Sequence, residues 1–315
     1  MKTFTFCFLV NLVLIPNISS AQFKVVGYIH PSRTIDTAIN TIAFGKLTHL
    51  NIAFVNPDST DSLKIPFGFN ALIKRAHANH VKVLASIGGG SHNPYYAVLL
   101  TNSKRKDFIN TLINFLQNYH LDGLDVDLEG DAIDSTYEPL IVELSAVFKP
   151  LNLLLTSALA TWNAEKISDV ALSKFDFINV MSYDQTGPWQ PDKPGPHSTI
   201  AKAEEDLDYW IRQRHVPKEN INLGLPFYGY CFNTKYDESM AYAEIVSTFN
   251  GADQTDVVMP FGGGTIHYNG LPTILQKTSI AREKAGGVMM WQLLQDAKDG
   301  DSLLNEIYLL IKRRQ

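Results

Sequence analysis

The sequence is poor in cysteine and in clustered positive charge. Of its 315 residues only Cys7 and Cys231 are cysteines, and the net charge is −5. Because Cys7 lies in an N-terminal segment that we expect to be cleaved, the mature chain would keep one cysteine, which excludes an internal disulfide. Lysine and arginine form no block, so we expect no nucleic-acid partner. The nine histidines show no spacing typical of a zinc site, and we expect neither a metal nor a cofactor.

The sequence also lacks a predicted transmembrane segment. The apolar run at residues 3–16 is too short to span a bilayer comfortably. It follows the positive charge of Lys2 and precedes small residues that end at Ala21, an order typical of a secretory signal peptide. We therefore predict a signal peptide over residues 1–21, cleavage near Ala21, and export of residues 22–315 to the periplasm or the extracellular medium.

The most informative stretch of the chain is residues 121–130. Apolar and acidic residues alternate over residues 124–129, and a period of two predicts a β-strand. Asp125, Asp127 and Glu129 would then share one face of that strand. If the three carboxylates are partly buried, at least one must hold a proton near neutral pH. A protonated carboxyl beside an ionised neighbour is what general acid catalysis requires.

Two other interpretations of this stretch compete with a catalytic strand. A calcium-binding loop of the EF-hand type would need Glu at its twelfth position, where the chain has Thr136. Val126 and Leu128 also suit a strand better than a solvated loop. A solvated acidic edge strand is the second interpretation, and the apolar residues on the opposite face of the strand disfavour it.

The rest of the chain alternates predicted strands with helical patterns. Besides the acidic stretch, the predicted strands are residues 23–29, 47–55, 81–87, 151–159, 175–183, 220–228 and 286–292. Helical patterns between them include residues 104–119, 137–148 and 201–214. Eight strand–helix units in this length predict a closed (β/α)8 TIM barrel, whose functional residues lie at the C-terminal ends of the strands. Residues 232–268 are extra to a simple unit and predict a short insertion between the seventh and eighth barrel strands.

The acidic stretch resembles the signature Asp-Gly-x-Asp-x-Asp-x-Glu of family 18 glycoside hydrolases, the chitinases and their relatives. The matching residues are Asp122, Gly123, Asp125, Asp127 and Glu129. Further segments resemble other motifs of the family, in the same order along the chain: Gly27-Tyr28, Ser86-x-Gly88-Gly89, Met181-x-Tyr183-Asp184, residues 224–229 and Trp291. The resemblance covers about residues 24–295 and implies the same barrel.

The resemblance also implies a role for each matching residue. Glu129 would protonate the glycosidic oxygen, Asp127 would orient the substrate's acetamido group, and Asp125 would exchange a proton with Asp127. Tyr183 would hold the acetamido oxygen, which attacks the anomeric carbon in the substrate-assisted route of this family. Residues expected to bind the substrate are Trp291, Asp184, Tyr28, Ser86, Gly88 and Gly89. The hydroxyl of Ser86 would in addition bond Asp125.

Geometry along the strand agrees with this route. Asp127 lies two residues before Glu129, roughly 6.5–7 Å along a strand, on the same side of the sugar. A nucleophile of a retaining enzyme must approach from the opposite face, so Asp127 is poorly placed to attack. Because the three acids would titrate together, we expect the Asp127→Asn change to lower the pKa of Glu129.

The chain departs from the common family pattern around the acid. Many members have Trp before the catalytic Glu and Tyr-Pro after it, where this chain has Leu128 and then Gly130 and Asp131. Many also carry Trp after the Gly-Gly pair, where this chain has Gly90 and Ser91. Fewer aromatic platforms predict a weaker grip on a long chain. Two tryptophans just past the fifth and sixth strands could compensate: Trp162 and Trp189.

These observations predict a secreted, monomeric hydrolase of β-1,4-N-acetylglucosamine linkages in chitin or chito-oligosaccharides, acting with retention. Two alternatives stay open at this point. One is an endo-β-N-acetylglucosaminidase that acts on N-glycan cores, and the other is a non-catalytic chitin-binding lectin on the same fold.

Overall fold

The computed structural model describes residues 22–30, 39–63, 65, 67–91 and 93–313. The signal peptide predicted at residues 1–21 lies outside these residues, so its presence and cleavage stay predictions.

Eight parallel strands close into a barrel, which confirms the predicted (β/α)8 TIM-barrel fold. Barrel strands that follow each other along the chain pair with each other, and the last strand closes the barrel by pairing with the first. The barrel strands are β1 Lys24–Ile29, β2 His49–Ile52, β3 Lys82–Gly88, β4 Gly123–Asp127, β5 Leu154–Leu159, β6 Phe177–Val180, β7 Ile221–Pro226 and β12 Gly287–Trp291.

Helices cover the outside of the barrel between these strands. They are α1 Phe69–Ala78, α2 Tyr96–Leu99, α3 Arg105–Asn118, α4 Tyr137–Phe148, α5 Asp169–Leu172, α6 Ile200–Asp208, α7 Tyr242–Thr248, α8 Leu271–Lys284 and α9 Leu303–Lys312. The predicted helix at residues 137–148 matches α4 at both ends. The helix predicted at residues 201–214 instead ends at Asp208 and continues as the π-helix Tyr209–Gln213.

Except for β3, the observed barrel strands are shorter than the predicted ones. The second strand, predicted over residues 47–55, is His49–Ile52 in the structure. Val55 lies beyond the end of this strand and is nevertheless buried. The pattern of apolar residues indicates burial, and burial extends past the end of the strand.

The insertion between β7 and β12 is a small antiparallel sheet with the strand order β10–β11–β8–β9. Its strands are β8 Tyr228–Phe232, β9 Ser239–Ala241, β10 Val257–Val258 and β11 Thr265–His267. The sheet starts at Tyr228, four residues before the predicted start of the insertion. The apolar run of β7 continues without a break into β8, so the pattern alone did not reveal the change of sheet.

Alternating side chains give the barrel two apolar regions with polar groups between them. On β4, Leu124 and Val126 pack in the large core between the strands and the helices. A second, smaller core inside the barrel consists of Val26, Tyr28, Ala53, Ala158, Phe177 and Met289. Asp125 points into this interior and is completely buried. The three predicted acids therefore lie on the inner face, at the end of the barrel where the strands terminate.

Among the described residues, every helix is too short or too polar to cross a membrane.

Close packing of β4 against β5 depends on Gly123, which leads to a stability prediction. A Cβ at this position would lie 2.3 Å from the backbone oxygen of Leu154, so the Gly123→Ala change must push the two strands apart. We expect a loss of about 1–3 kcal/mol in the free energy of unfolding, measured by denaturant titration. Gly45→Ala is the matched control, because a Cβ there meets open space, and we expect a change of at most about 1 kcal/mol. Equal effects of the two changes would contradict this account.

Candidate active site

Asp125 is the innermost of the three acids and is held by hydrogen bonds from four strands. Its Oδ2 atom accepts from the hydroxyl of Tyr28 at 2.7 Å and from that of Ser86 at 2.8 Å. Its Oδ1 atom accepts from Thr156 Oγ1 at 2.6 Å and from Asn179 Nδ2 at 3.4 Å. Burial raises the pKa of Asp125, while these four donors favour its ionised form and offset part of that rise.

Asp127 has the opposite environment. Its Oδ1 atom is buried and has no hydrogen-bond partner among the described residues. Burial raises the pKa of Asp127 well above its ordinary value, and the charges of Glu129 and Asp125 raise it further. Both effects favour the protonated form of Asp127, and its unpartnered Oδ1 atom can accept a hydrogen bond.

Glu129 follows the end of β4 and is only partly buried. Burial first, and then the charge of Asp184, raises the pKa of Glu129 to about 7. A carboxyl with this pKa is about half protonated at neutral pH and can both give and take a proton, as a general acid–base group must.

The titration of Glu129 depends on two acidic neighbours. Asp127 and Glu129 interact, since the charge of Glu129 raises the pKa of Asp127, and the two acids lie two residues apart along the chain. Asp184, which follows β6, is the second neighbour, and its charge raises the pKa of Glu129. The expected effect of the Asp127→Asn change on Glu129 stays a prediction.

Tyr183 and Asp184 bring the end of β6 into the same site. Burial raises the pKa of Tyr183, and the charges of Asp127, Asp184 and Glu129 raise it further, which places its ring near the acids. It therefore stays a neutral hydroxyl that can donate. Asp184 has a left-handed backbone with a φ of 63°, and its Oδ1 atom accepts a hydrogen bond from the hydroxyl of Tyr228.

Trp291 forms an aromatic group at the end of β12. Its ring lies 5.6 Å from the ring of Phe54, nearly parallel to it, and 5.6 Å from that of Tyr28. These neighbours pack against the small core inside the barrel and fix the indole, which stays partly exposed. A fixed and partly exposed indole is a suitable platform for the apolar face of a sugar ring.

Two residues expected to bind substrate lie below the site. Tyr28 is 1% exposed and Ser86 is 0% exposed, and both hydroxyls bond Asp125. The expected bond between Ser86 and Asp125 is thus present. Both buried hydroxyls position Asp125, and the expectation that Tyr28 and Ser86 contact the sugar stays a prediction.

Gly88 and Gly89 allow the end of β3 to lie directly against β4. A Cβ at Gly88 would lie 2.2 Å from the backbone oxygen of Asp127, and Gly89 has a φ of 89°. The backbone N–H of Gly89 donates to that same oxygen at 2.7 Å. The two glycines therefore fix the backbone that carries Asp127.

A cavity of about 380 Å³ opens beside Glu129. Gly88, Gly89, Gly90, Ser91, Gly130 and Trp162 are among the residues that line it. Gly90, Ser91 and Gly130, where the chain departs from the family pattern, thus border open space next to Glu129. Trp162 at its edge is 68% exposed, and Trp189, which packs against Tyr230 with ring centres 5.4 Å apart, is 56% exposed.

The site also contains residues that the sequence analysis missed. Thr156 and Asn179 hold Asp125, and Tyr228 and His197 contact Asp184. For Asn179 the available signal was a polar residue between apolar ones inside a predicted strand, and for Thr156 it was a polar Thr-Ser pair inside another. Tyr228 lies in residues 224–229, which resemble a family motif, whereas His197 gave no comparable signal.

The family model described as "Glycosyl hydrolases family 18" matches residues 24–296. The chain belongs to this family. Among solved structures, it is similar to the chitinase ChiB from the chitin utilization locus of Flavobacterium johnsoniae. That similarity has a TM-score of 0.83 and 37% identity, and it covers 93% of this chain and 94% of the other.

Curated relatives of the family 18 chain carry different names. It is 28% identical to a class V chitinase from Lotus japonicus over 83% of this chain and 80% of the relative. It is also 28% identical to a "chitinase-like effector" from Moniliophthora roreri, over 65% of this chain and 58% of that relative's length. Since the family includes chitinases and chitinase-like proteins, the side chains of the site must decide between catalysis and binding.

The electrostatics of the site predict which acid controls the titration of Glu129. Asp184→Asn removes the charge that raises the pKa of Glu129, so that pKa should fall by roughly 0.5–1. Because an acid catalyst is active only while protonated, the alkaline limit of activity should move to lower pH by the same amount. The titration of Glu129 can be followed by NMR of ¹³C-labelled glutamate carboxyls, assigned by the loss of one signal in Glu129→Gln.

Two comparison variants test this assignment. Asp127→Asn removes the interacting acid at the end of β4 and should also move the Glu129 titration to lower pH. Asp192→Asn removes one exposed negative charge from the loop after β6 and should leave the titration unchanged. An unmoved titration in Asp184→Asn, or an equal shift in Asp192→Asn, would show that the charge assignment is wrong.

Proposed function

We propose that this protein is a secreted, monomeric glycoside hydrolase that cleaves β-1,4-N-acetylglucosamine linkages in chitin or chito-oligosaccharides. The observation that carries the proposal is the pair formed by Glu129, with its pKa raised to about 7, and the buried Asp127, whose pKa is raised well above its ordinary value. The presence of both acids favours catalysis over a lectin function, because sugar binding does not require a proton donor. The 37% identity to a chitinase from a chitin utilization locus favours the same substrate class.

In the first step, Glu129 donates its proton to the glycosidic oxygen. The acetamido oxygen of the sugar over Trp291 attacks the anomeric carbon, and the bond from that carbon to the leaving oxygen breaks. The electron pair of the broken bond stays on the leaving oxygen, which carries the proton from Glu129. The product of this step is an oxazolinium ion, whose positive charge needs stabilisation.

Asp127 and Tyr183 are suited to guide the acetamido group. The unpartnered Oδ1 atom of Asp127 can accept the acetamido N–H, and the neutral Tyr183 hydroxyl can donate to the acetamido oxygen. As positive charge develops on the ring, Asp127 can pass its proton to Asp125 and become the balancing anion. The hydrogen-bond donors around Asp125 hold that carboxyl in place during the exchange.

In the second step, water attacks the anomeric carbon and gives a proton to the ionised Glu129. The bond between the anomeric carbon and the acetamido oxygen breaks, which restores the acetamido group. Two displacements at the same carbon retain the β configuration. The cavity beside Glu129 lies on the leaving-group side, since its lining residues include neither Trp291 nor Tyr183.

Removal of the proton donor should abolish turnover without abolishing binding. Glu129→Gln keeps the shape of the side chain but cannot donate a proton, so we expect hydrolysis of soluble chitin oligomers to fall by roughly 10²–10⁴-fold. Reducing-sugar release measures the rate, and calorimetry measures oligomer binding. Glu138→Gln on α4 is the matched control at an exposed position and should keep the wild-type rate. Near-full activity of Glu129→Gln would refute the assignment of the acid.

The chemistry of the substrate tests the nucleophile. If the acetamido oxygen attacks, a fully deacetylated chain should not be cleaved, and the first product of an acetylated chain should have the β configuration by NMR. A thiazoline analogue of the oxazolinium ion should inhibit strongly, because it resembles the intermediate. Cleavage of the deacetylated chain at a comparable rate would exclude this route. Release of glycans from a high-mannose glycoprotein, without cleavage of chitin oligomers, would instead identify an N-glycan endoglycosidase.

A further inference from the structure

A buried histidine contacts Asp184 from the loop that follows β6. His197 is 0% exposed, and its Nδ1 atom lies 3.4 Å from Asp184 Oδ1. Neither ring nitrogen makes a hydrogen bond among the described residues. A buried imidazole without partners is costly, and Asp184 is the acceptor within reach. Hydrogen bonds between catalytic groups are often long without substrate and shorten in the complex.

The surroundings of His197 hold its ring in place. The ring packs against those of Tyr228 and Tyr230, with centres 4.9 and 5.0 Å apart. The next residue, Ser198, is fixed by the buried Lys277, whose Nζ atom donates to the backbone oxygen and to the hydroxyl of Ser198, both at 2.7 Å. His197 therefore approaches Asp184 from a rigid support.

The same oxygen of Asp184 receives a second contact. The hydroxyl of Tyr228, on the first strand of the insertion, donates to Asp184 Oδ1. Asp184 is otherwise free to move, because 41% of its side chain is exposed. Its carboxylate is thus restrained on one side by the loop after β6 and on the other by the insertion sheet.

We propose that His197 and Tyr228 form a clamp that holds the Asp184 carboxylate near Glu129, and that His197 acts as a positioning residue for the general acid. The inference rests on the proposed role of Glu129 as that acid. Without the clamp, an anionic side chain with access to water gains hydration by turning outward. Its repulsion of the ionised Glu129 would then weaken.

The titratable side chains around the clamp come from several elements. Among the described residues they include Asp184, Tyr183, Tyr228, Tyr230 and His267. Burial and the charge of Asp184 raise the pKa of all three tyrosines, which therefore stay neutral. Burial lowers the pKa of His267, and the charge of His197 lowers it further. Asp184 is thus the carboxyl group that faces His197.

The test is the NMR titration of the Glu129 carboxyl in the full chain. His197→Leu removes both ring nitrogens, and we expect the Glu129 titration to move to lower pH by about 0.5. His197→Gln keeps an N–H that can reach Asp184 and should restore most of the wild-type value. His267→Gln is the matched control, because it removes a neighbouring imidazole that does not contact Asp184, and it should cause no shift.

The same change in an Asp184→Asn protein distinguishes the positioning of Asp184 from a general structural effect of the change at His197. In a protein that already carries Asp184→Asn, His197→Leu should cause no further shift, because the charge it positions is gone. An unchanged Glu129 titration in His197→Leu, or an equal shift in both backgrounds, would overturn the proposal. If circular dichroism shows that His197→Leu does not fold, Tyr228→Phe takes its place. We expect Tyr228→Phe to move the Glu129 titration to lower pH.

This titration needs no substrate, so it is independent of the proposed function. Failure of the wild-type protein to hydrolyse chitin oligomers would refute the proposed function and leave the clamp to be judged by the titration alone.

Discussion

Burial of Asp125 inside the barrel is the constraint on which the rest of the site depends. An ionised carboxylate in an apolar interior is very costly unless it is hydrogen-bonded, and this one collects donors from β1, β3, β5 and β6. Only a closed barrel brings four such strands around one side chain. With Asp125 satisfied, Asp127 lies buried between two other acids, and its Oδ1 atom has no hydrogen-bond partner among the described residues. Burial and the neighbouring charges favour its protonated form, so the arrangement of protons in the site depends on that one buried group.

The order and type of the strands and helices could be predicted from the sequence because they follow from local patterns of apolar and polar residues. The period-two alternation of the acidic stretch correctly placed Leu124 and Val126 toward the helices and Asp125 toward the interior. The predicted ends of the strands were less accurate, because apolar residues beyond the ends of the observed strands are buried as well. The start of the insertion was missed for a similar reason, because Tyr228 continues the apolar run of β7.

The candidate site was predicted in its acids, in Tyr28 and Ser86 beside Asp125, and in the aromatic residues at the strand ends, but not in Thr156 and Asn179. Asn179 is 54 residues from Asp125 in sequence, and Thr156 is 31 residues from it. Such contacts exist only after the barrel closes, and no local pattern encodes them. The same limit applies to the effect of Asp184 on Glu129, because the two residues are distant in sequence.

The position of Tyr228 has a consequence for how the insertion of this protein could diverge. The first insertion strand belongs to two structures at once, because its beginning contacts Asp184 and its far end pairs with β11. An exchange of the segment after Phe232 for one of another length would change the insertion sheet and leave the contact with Asp184 as it is. An exchange that begins at Tyr228 would alter both together. The size of the insertion and the restraint on Asp184 are thus separable traits in this barrel, and the boundary between them lies within a single five-residue strand.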